Sequence, residues 1–272
     1  MTLDGKVALI TGGARGIGRG IALALAGAGA DIAIAEVDRM PSAAQQYGVA
    51  DISGYQAAQQ TVREIEALGR RAIAVEADVT RWEQVQQMVD QTVARLGPLD
   101  ILVCNAGVVH VAPVELISEE EWDLTMGVNV KGVFLSCKAA LPVLRERLGG
   151  CIINVASVAG KNGAAGIAHY CASKFAVVGF TNALAKEVAP LNIRVNAICP
   201  GILRTQMWEH LAESLRQPDE SRDQAWERAV RTLIPLARPQ TPEDIGALAV
   251  YLATAPNVTG QAINVDGGME LH

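Results

Sequence analysis

The chain reads as an α/β protein built on a doubly wound, seven-stranded parallel sheet with helices on both faces, in a single domain over residues 1–272. Three observations predict this. Seven short apolar runs, at 6–11, 31–36, 71–76, 99–105, 151–156, 193–199 and 262–265, alternate with longer amphipathic stretches. Strands alternating with helices build a parallel sheet with right-handed crossovers. Half the residues are hydrophobic, only 4% are aromatic and 26 are Gly, a balance that suits a sheet covered on both sides by closely packed, Ala-rich helices. The first run passes directly into the glycine-rich turn Thr11, Gly12, Gly13, Ala14, Arg15, Gly16, Ile17, Gly18, which opens an Ala- and Leu-rich helix. A length of 272 residues is ordinary for one such unit.

Taken in order, the first run and its turn form the opening strand and helix. The second run ends on Glu36. Residues 37–54 are polar, contain Ala and Gln, and exceed a usual strand-to-helix connection, so they read as a surface insertion. After the third run, Thr80 with Glu83 gives a helix-start signal, and Ser118 with Glu121 gives another after the fourth. The stretch holding Tyr170 and Lys174 is helical and separates the fifth run from the sixth. Residues 201–239, punctuated by Pro218, Pro235 and Pro239 and carrying Met207, Trp208, His210 and Trp226, read as a substrate lid. Thr241, Pro242 and Asp244 start the last helix before the seventh run.

Charge and cysteine content exclude several function classes. A net charge of −6 leaves no basic stripe for a phosphate backbone, so nucleic acid is not an expected partner. Cys104, Cys137, Cys151, Cys171 and Cys199 are odd in number and form no CxxC pair, which disfavours a disulfide framework and a zinc site. His110, His169, His210 and His272 are scattered and no metal is expected; His110 and His169 read as surface histidines, with contact to a bound small molecule as the alternative for either. The N-terminus shows no leader pattern and no run approaches 18 apolar residues, so the expectation is a cytoplasmic protein without a membrane partner.

The glycine turn suggests a dinucleotide. Glycines at 12, 16 and 18 let the backbone turn tightly and approach a pyrophosphate at a helix N-terminus, although such a turn alone also suits a sheet protein with no ligand. Glu36 lies eighteen residues after Gly18, where a carboxylate accepts hydrogen bonds from an adenosine ribose and repels a 2′-phosphate. NAD is therefore the expected cofactor over NADP. Arg15 pulls the other way, because a guanidinium there could pair with a 2′-phosphate, and Arg39 lies just past Glu36.

The motifs TGGARGIG at 11–18, ADV at 77–79, CNAG at 104–107, GVNVKG at 127–132, NVASVAG at 154–160, YCASK at 170–174, NAICPG at 196–201 and GQAINVDGG at 260–268 resemble the classical short-chain dehydrogenase/reductase family nearly end to end. That resemblance implies a Rossmann fold, a homotetramer and hydride transfer between a nicotinamide ring and a secondary alcohol or ketone. It implies Asn129, Ser157, Tyr170 and Lys174 as the catalytic set, Asn129 holding a water that connects Lys174 to solvent. It implies cofactor contacts from Gly12, Arg15, Gly16, Ile17, Gly18, Glu36, Asp78, Val79, Asn105, Ala106, Gly107, Tyr170, Lys174, Pro200, Gly201, Ile202 and Thr205.

The side chains themselves are compatible with this. Tyr170 and Lys174, four apart on a helix, share one face, and a nearby cation is expected to lower the phenol toward neutral pH. Ser157 ends the fifth run, at the carboxyl edge where such sheets hold ligands. Read alone, Ser157 could be a turn or cap residue, Asp78 could cap a helix, and Val79 and Ile202 could be core. The expected substrate is a polyol, sugar or other small secondary alcohol, suggested by a lid with polar groups beside two tryptophans. The rivals are an NADPH-dependent 3-oxoacyl thioester reductase and a non-catalytic dinucleotide sensor.

Overall fold

The structure is a computed structural model and describes residues 2–38 and 53–271, the side chains at 210, 214 and 215 excepted. The expected sheet is present. β1 (Val7–Thr11), β2 (Asp31–Glu36), β3 (Ala72–Glu76), β4 (Ile101–Cys104), β5 (Gly150–Val155), β6 (Ile193–Pro200) and β7 (Ala262–Val265) form a seven-stranded sheet in the order β3-β2-β1-β4-β5-β6-β7. Every pairing is parallel. The order reverses between β1 and β4, which opens a crevice at the carboxyl ends of those two strands.

Alternation along the strands feeds two cores. Val7 and Leu9 of β1, Ile152 of β5 and Val195 of β6 face one layer, where α3 (Trp82–Leu96), α5 (Gly132–Glu146) and α6 (Ala168–Val188) bury Met88, Leu144 and Leu184. Ala8 and Ile10 of β1 with Ile153 of β5 face the other, against Ile21, Ile65 and Leu252 of α1 (Gly16–Gly27), α2 (Gly54–Ala67) and α9 (Pro242–Thr254). Sheet strands apolar on both faces are what a doubly covered parallel sheet requires.

Two of the three expected helix starts hold. Ser118 with Glu121 and Thr241 with Asp244 are reciprocal capping boxes, opening α4 (Glu119–Met126) and α9. The third differs, for α3 begins at Trp82 behind Arg81, without a side-chain cap. Thr80 gives its N–H and hydroxyl to Asp78 Oδ1, at 2.9 and 2.7 Å. The local turn around Asp78 thus holds Thr80 before it can cap.

Most of the 37–54 insertion falls outside the described residues. Its ends meet, Gly54 N–H donating to the Asp38 carbonyl at 3.2 Å, and Ser53 caps α2. In the 201–239 segment, α7 (Gln206–Leu215) and α8 (Arg222–Leu233) share a small core of their own. Trp208 and Trp226 meet edge to face there at 5.3 Å and are both buried. They do not present their rings as the sequence suggested, because two large aromatics are what give this short helical pair a core. Arg204 pairs with Glu209 of α7 and Asp223 of α8.

By length and composition the helical run Glu119–Glu146 is apolar enough to cross a membrane. Its apolar side chains Val133, Leu135, Cys137, Ala140 and Leu144 are buried in the first core layer.

Candidate active site

The crevice is built from the turns that leave β1 and β4. Thr11 ties them together, its Oγ1 accepting the N–H groups of Asn105 at 3.0 Å and Ala106 at 3.2 Å. Asn105 Nδ2 returns hydrogen bonds to the carbonyls of Thr11 and Gly12, at 3.1 and 2.8 Å. Asn105 therefore fixes the glycine turn, a role its neighbour Thr11 shares and the sequence reading did not single out. Its signal was present in the motif, as the last residue of the first strand.

The glycines fit a closely approaching dinucleotide. Gly12 holds φ +66 and Gly16 φ +51, and a Cβ on Gly18 would sit 2.1 Å from the Gly12 carbonyl oxygen. Backbone rather than side chain thus forms the cradle in front of α1, whose N-terminal dipole favours a pyrophosphate. A paired substitution reads this out. Gly18→Ala is expected to lower the melting temperature by about 5 °C or more, as an overpacking cost of roughly 1–3 kcal/mol, and to weaken cofactor binding. Gly27→Ala, where an added Cβ meets nothing within 4 Å, leaves both intact; thermal melts with and without dinucleotide check the pair.

Glu36 ends β2 beside this turn. Its carboxylate accepts the N–H of Ala14 and of Val37, each at 3.3 Å. Burial still outweighs those bonds and the adjacent Arg15 guanidinium, pushing the carboxyl up to about 7. Arg15 also donates to the Ser53 carbonyl at 3.4 Å, so it bridges the glycine turn and the start of α2. Arg39 lies outside the described residues.

The remaining expected contacts distribute as follows. Thr205 caps α7 and stands against Gly16, 3.4 Å from where a Cβ would be. Gly201 has no room for a side chain between Gln240 and Asp266, which brings the Pro200–Gly201 backbone close to the sheet end. Val79 and Ile202 are both buried in hydrophobic clusters, Ile202 in the lid core. Asp78 sits in its turn with Thr80, its own N–H donating to Gln84 Oε1 at 2.7 Å.

At the carboxyl edge of β5, Ser157 caps a short 3-10 turn, its Oγ accepting the Ala159 N–H at 3.1 Å, and also hydrogen-bonds the Tyr170 hydroxyl. Tyr170 and Lys174 lie on one face of α6, with Lys174 Nζ 5.5 Å from the phenol ring centroid. That ammonium donates to the Val155 carbonyl at 3.0 Å and is buried.

The electrostatics differ from the sequence expectation in one respect. Lys174 does not lower the phenol in the bare chain. Burial pushes Tyr170 up to about 12, the Ser157 hydrogen bond offsetting only part of this, and the same burial brings Lys174 down to about 8. Desolvation penalises both charged forms, and it exceeds their mutual attraction.

Asn129 sits in a five-residue π-helical turn, Gly127–Lys131, between α4 and α5. Such turns are frequent at functional sites. Fully buried, Asn129 exchanges two hydrogen bonds with the Val108 backbone, at 2.8 and 2.9 Å, and donates to Ser173 Oγ at 3.0 Å. Ser173 in turn donates to the Tyr170 carbonyl at 2.7 Å. Gly107 separates Asn129 from Lys174: a Cβ there would lie 3.4 Å from Asn129 Oδ1 and 3.6 Å from Lys174 Nζ.

Around the Tyr170 ring, the wall is Val109, Ala159, Ile167, Cys171, Met207 and Leu211. Two of the histidines depart from expectation. His169 is fully buried rather than superficial, and His110 is partly buried with Nε2 3.0 Å from Glu121 Oε1. The helix that brings Tyr170 inward carries His169 with it, under α4. His210 and His272 lie outside the described side chains. The five cysteines are free and buried, and among the described residues no His, Cys, Asp and Glu group is arranged to hold a metal.

Comparison with known proteins identifies the family to which this fold and sequence belong. A family model for short chain dehydrogenases matches residues 6–216. An L-2,3-butanediol dehydrogenase of Corynebacterium glutamicum is 39% identical over 268 residues, covering 97% of this chain and 98% of the relative. A 3-oxoacyl-acyl-carrier-protein reductase of Thermotoga maritima is 36% identical over 271 residues, covering 99% of each. Among solved structures, an actinorhodin polyketide ketoreductase variant with NADPH superposes with a TM-score of 0.89 at 33% identity, over 98% of both chains. A family match over most of the sequence, relatives spanning nearly its full length and the same seven-stranded sheet leave one assignment: this chain belongs to the short-chain dehydrogenase family, whose members are oxidoreductases that bind a nicotinamide dinucleotide.

Proposed function

We propose that this protein transfers hydride between NAD(H) and a small secondary alcohol or its ketone whose flanks are aliphatic. The observation that carries the substrate reading is the apolar cluster to which the Tyr170 side chain belongs, made with Val109, Ala159, Ile167, Cys171, Met207 and Leu211. A buried apolar wall gives a sugar hydroxyl no partner, and each unpaired hydroxyl brought there costs roughly 1–3 kcal/mol. The butanediol dehydrogenase among the relatives supports this reading. A galactitol 2-dehydrogenase of Agrobacterium fabrum, 37% identical over 271 residues with 98% of each chain covered, keeps longer polyols in the comparison.

The proposed mechanism assigns one role to each side chain. Ser157 Oγ orients the substrate oxygen and stabilises the charge that develops on it. Tyr170 exchanges a proton with that oxygen: its phenol donates in reduction and its phenolate accepts in oxidation. Lys174 holds positive charge behind the tyrosine, and Asn129 connects Lys174 through a water to solvent. When bound in its oxidised form, the cofactor supplies the hydride-accepting carbon and a positive charge that favours the phenolate. Gly12, Gly16 and Gly18 take the pyrophosphate, and Glu36 takes the adenosine ribose. No residue in the mechanism acts as a metal ligand. We read the assembly as a homotetramer.

The test is a series of alcohols at fixed NAD. kcat/KM is expected to fall by about tenfold or more from butane-2,3-diol to a hexitol, in line with one unpaired hydroxyl at 1.4 kcal/mol per decade. A hexitol turned over as efficiently as the diol would reject the aliphatic reading. The rival, a 3-oxoacyl thioester reductase, predicts turnover confined to NADPH.

Glu36 carries a pH dependence that the same assay measures. With the carboxyl near 7, it is mostly neutral at pH 6 and mostly charged at pH 8. Only the charged form repels a 2′-phosphate, so preference for NAD over NADP is expected to rise about tenfold across that interval. Glu36→Gln is expected to remove the rise.

A further inference from the structure

A separate cleft lies between α4 and the N-terminal end of α6. It has a volume of about 300 Å³ and is lined by Val114, Ile117, Trp122, Glu119, Asp123 and His169, with Ser118 and Ala168 at its margins. None of these residues belongs to the wall around Tyr170. From the structure we infer that this cleft binds a primary ammonium group carried on an apolar body.

Two independent features point to that chemistry, an acidic face around an indole and a buried imidazole without a partner. Glu119, Trp122 and Asp123 stand at i, i+3 and i+4 of α4, so two carboxylates flank one indole on a single face. Neither carboxylate has an ion-pair partner among the described residues, and the sequence holds no Lys or Arg from 96 to 130. Two like charges four apart repel one another, and a bound cation relieves this while resting on the face of Trp122, which is 44% exposed.

The cleft's lining includes His169, which is 0% exposed and has no hydrogen-bond partner at Nδ1 or Nε2. A buried unpaired polar group is costly and calls for a partner. Burial keeps this imidazole below the usual histidine range, and the nearby His110 acts in the same direction. The ring is therefore neutral at pH 7 and offers a lone pair rather than a competing charge. Val114 and Ile117 supply the apolar side, Val114 being exposed. An anion is excluded by the carboxylates, and a bare metal ion is poorly served by an indole and two aliphatic side chains.

Calorimetric titration of the full chain, saturated with NAD, with benzylammonium chloride tests the proposal. It needs no turnover, so its outcome is independent of the reaction assigned above. Saturable binding is expected with a dissociation constant of about 1 mM or tighter, with neutral benzamide at least about tenfold weaker. The Glu119→Gln/Asp123→Asn double variant, both positions being exposed, is expected to bind benzylammonium about tenfold more weakly with an unchanged melting temperature. Repeating the titration on the NADH-saturated chain with saturating secondary alcohol, a pairing that cannot turn over, identifies the source of the ammonium. Displacement assigns it to the far end of a substrate, and persistence to a separate small molecule. Equal affinity for benzamide, or undiminished affinity in the double variant, overturns the proposal.

Discussion

Replacing Tyr170 with Phe is expected to lower turnover about 10³-fold or more while leaving cofactor affinity within about twofold. The change removes one oxygen from a buried side chain whose ring packs against Val109, Ala159 and Cys171. Packing is preserved, and the Ser157 hydrogen bond is lost with the proton that the mechanism moves. Positioned acid–base groups contribute about 10²–10⁴-fold. The wild-type enzyme carries a matching signature. Because burial holds the phenol up to about 12 in the bare chain, it is protonated at pH 7, ready to donate in ketone reduction. Alcohol oxidation needs the phenolate, so its kcat/KM is expected to climb with pH while reduction does not. Steady-state kinetics in both directions, with dinucleotide binding measured by fluorescence, checks both statements. Unchanged turnover would remove Tyr170 from the proton transfer, and a wild type that binds dinucleotide without turning over any alcohol or ketone would belong with the non-catalytic sensors.

Lys174→Met is expected to lower activity about 10²-fold or more and, at pH 7, to leave the melting temperature unchanged or raise it by a few degrees. The two effects have one origin. Burial brings the ammonium from its ordinary 10.5 down to about 8, so holding the charge at neutral pH costs roughly 3 kcal/mol at 1.36 kcal/mol per unit. A folded value below the unfolded one means that the cost is full below pH 8 and vanishes as pH rises to the unfolded value. Wild-type stability should therefore gain on the variant between pH 8 and 10. Loss of the donor to the Val155 carbonyl offsets part of the gain, by about 1–3 kcal/mol. Melting curves at pH 7 and pH 9.5 read the difference. A variant markedly less stable than wild type at pH 7 would show the ammonium to be a structural ion.

The sheet was legible because burial on both faces writes strands as continuous apolar runs. DIAIAE at 31–36, buried up to Glu36, coincides with β2 to the residue, and the apolar run AINV at 262–265 coincides with the partly buried edge strand β7. Helix starts were legible where the cap is reciprocal, as at Ser118 and Thr241, and failed at Thr80, whose donors are taken by Asp78 two residues before it. Side-chain direction was not legible in 201–239. Nothing in the sequence says that Trp208 and Trp226 pack against each other, since their contact joins two helices across a turn.

The same limit applies at the site. Spacing placed Tyr170 beside Lys174, but whether the ammonium lowers the phenol depends on how dry the pair is, a property of the whole fold. The ties from Thr11 to Asn105 and from Asn129 to Ser173 join residues 94 and 44 positions apart. No local pattern encodes them. His169 looked superficial because histidines usually are, whereas the turn that points Tyr170 into the crevice points its neighbour under α4.

The measurement that tests the central claim most directly follows the hydride itself. The protein is incubated with NAD and a small secondary alcohol deuterated at the carbinol carbon, with Tyr170→Phe alongside, and the nicotinamide is examined by NMR. Direct transfer predicts deuterium at C4 of the reduced nicotinamide in the wild type, none taken from solvent, and a nearly complete loss in the variant. Reduced nicotinamide lacking deuterium, or equal transfer by the variant, would contradict it.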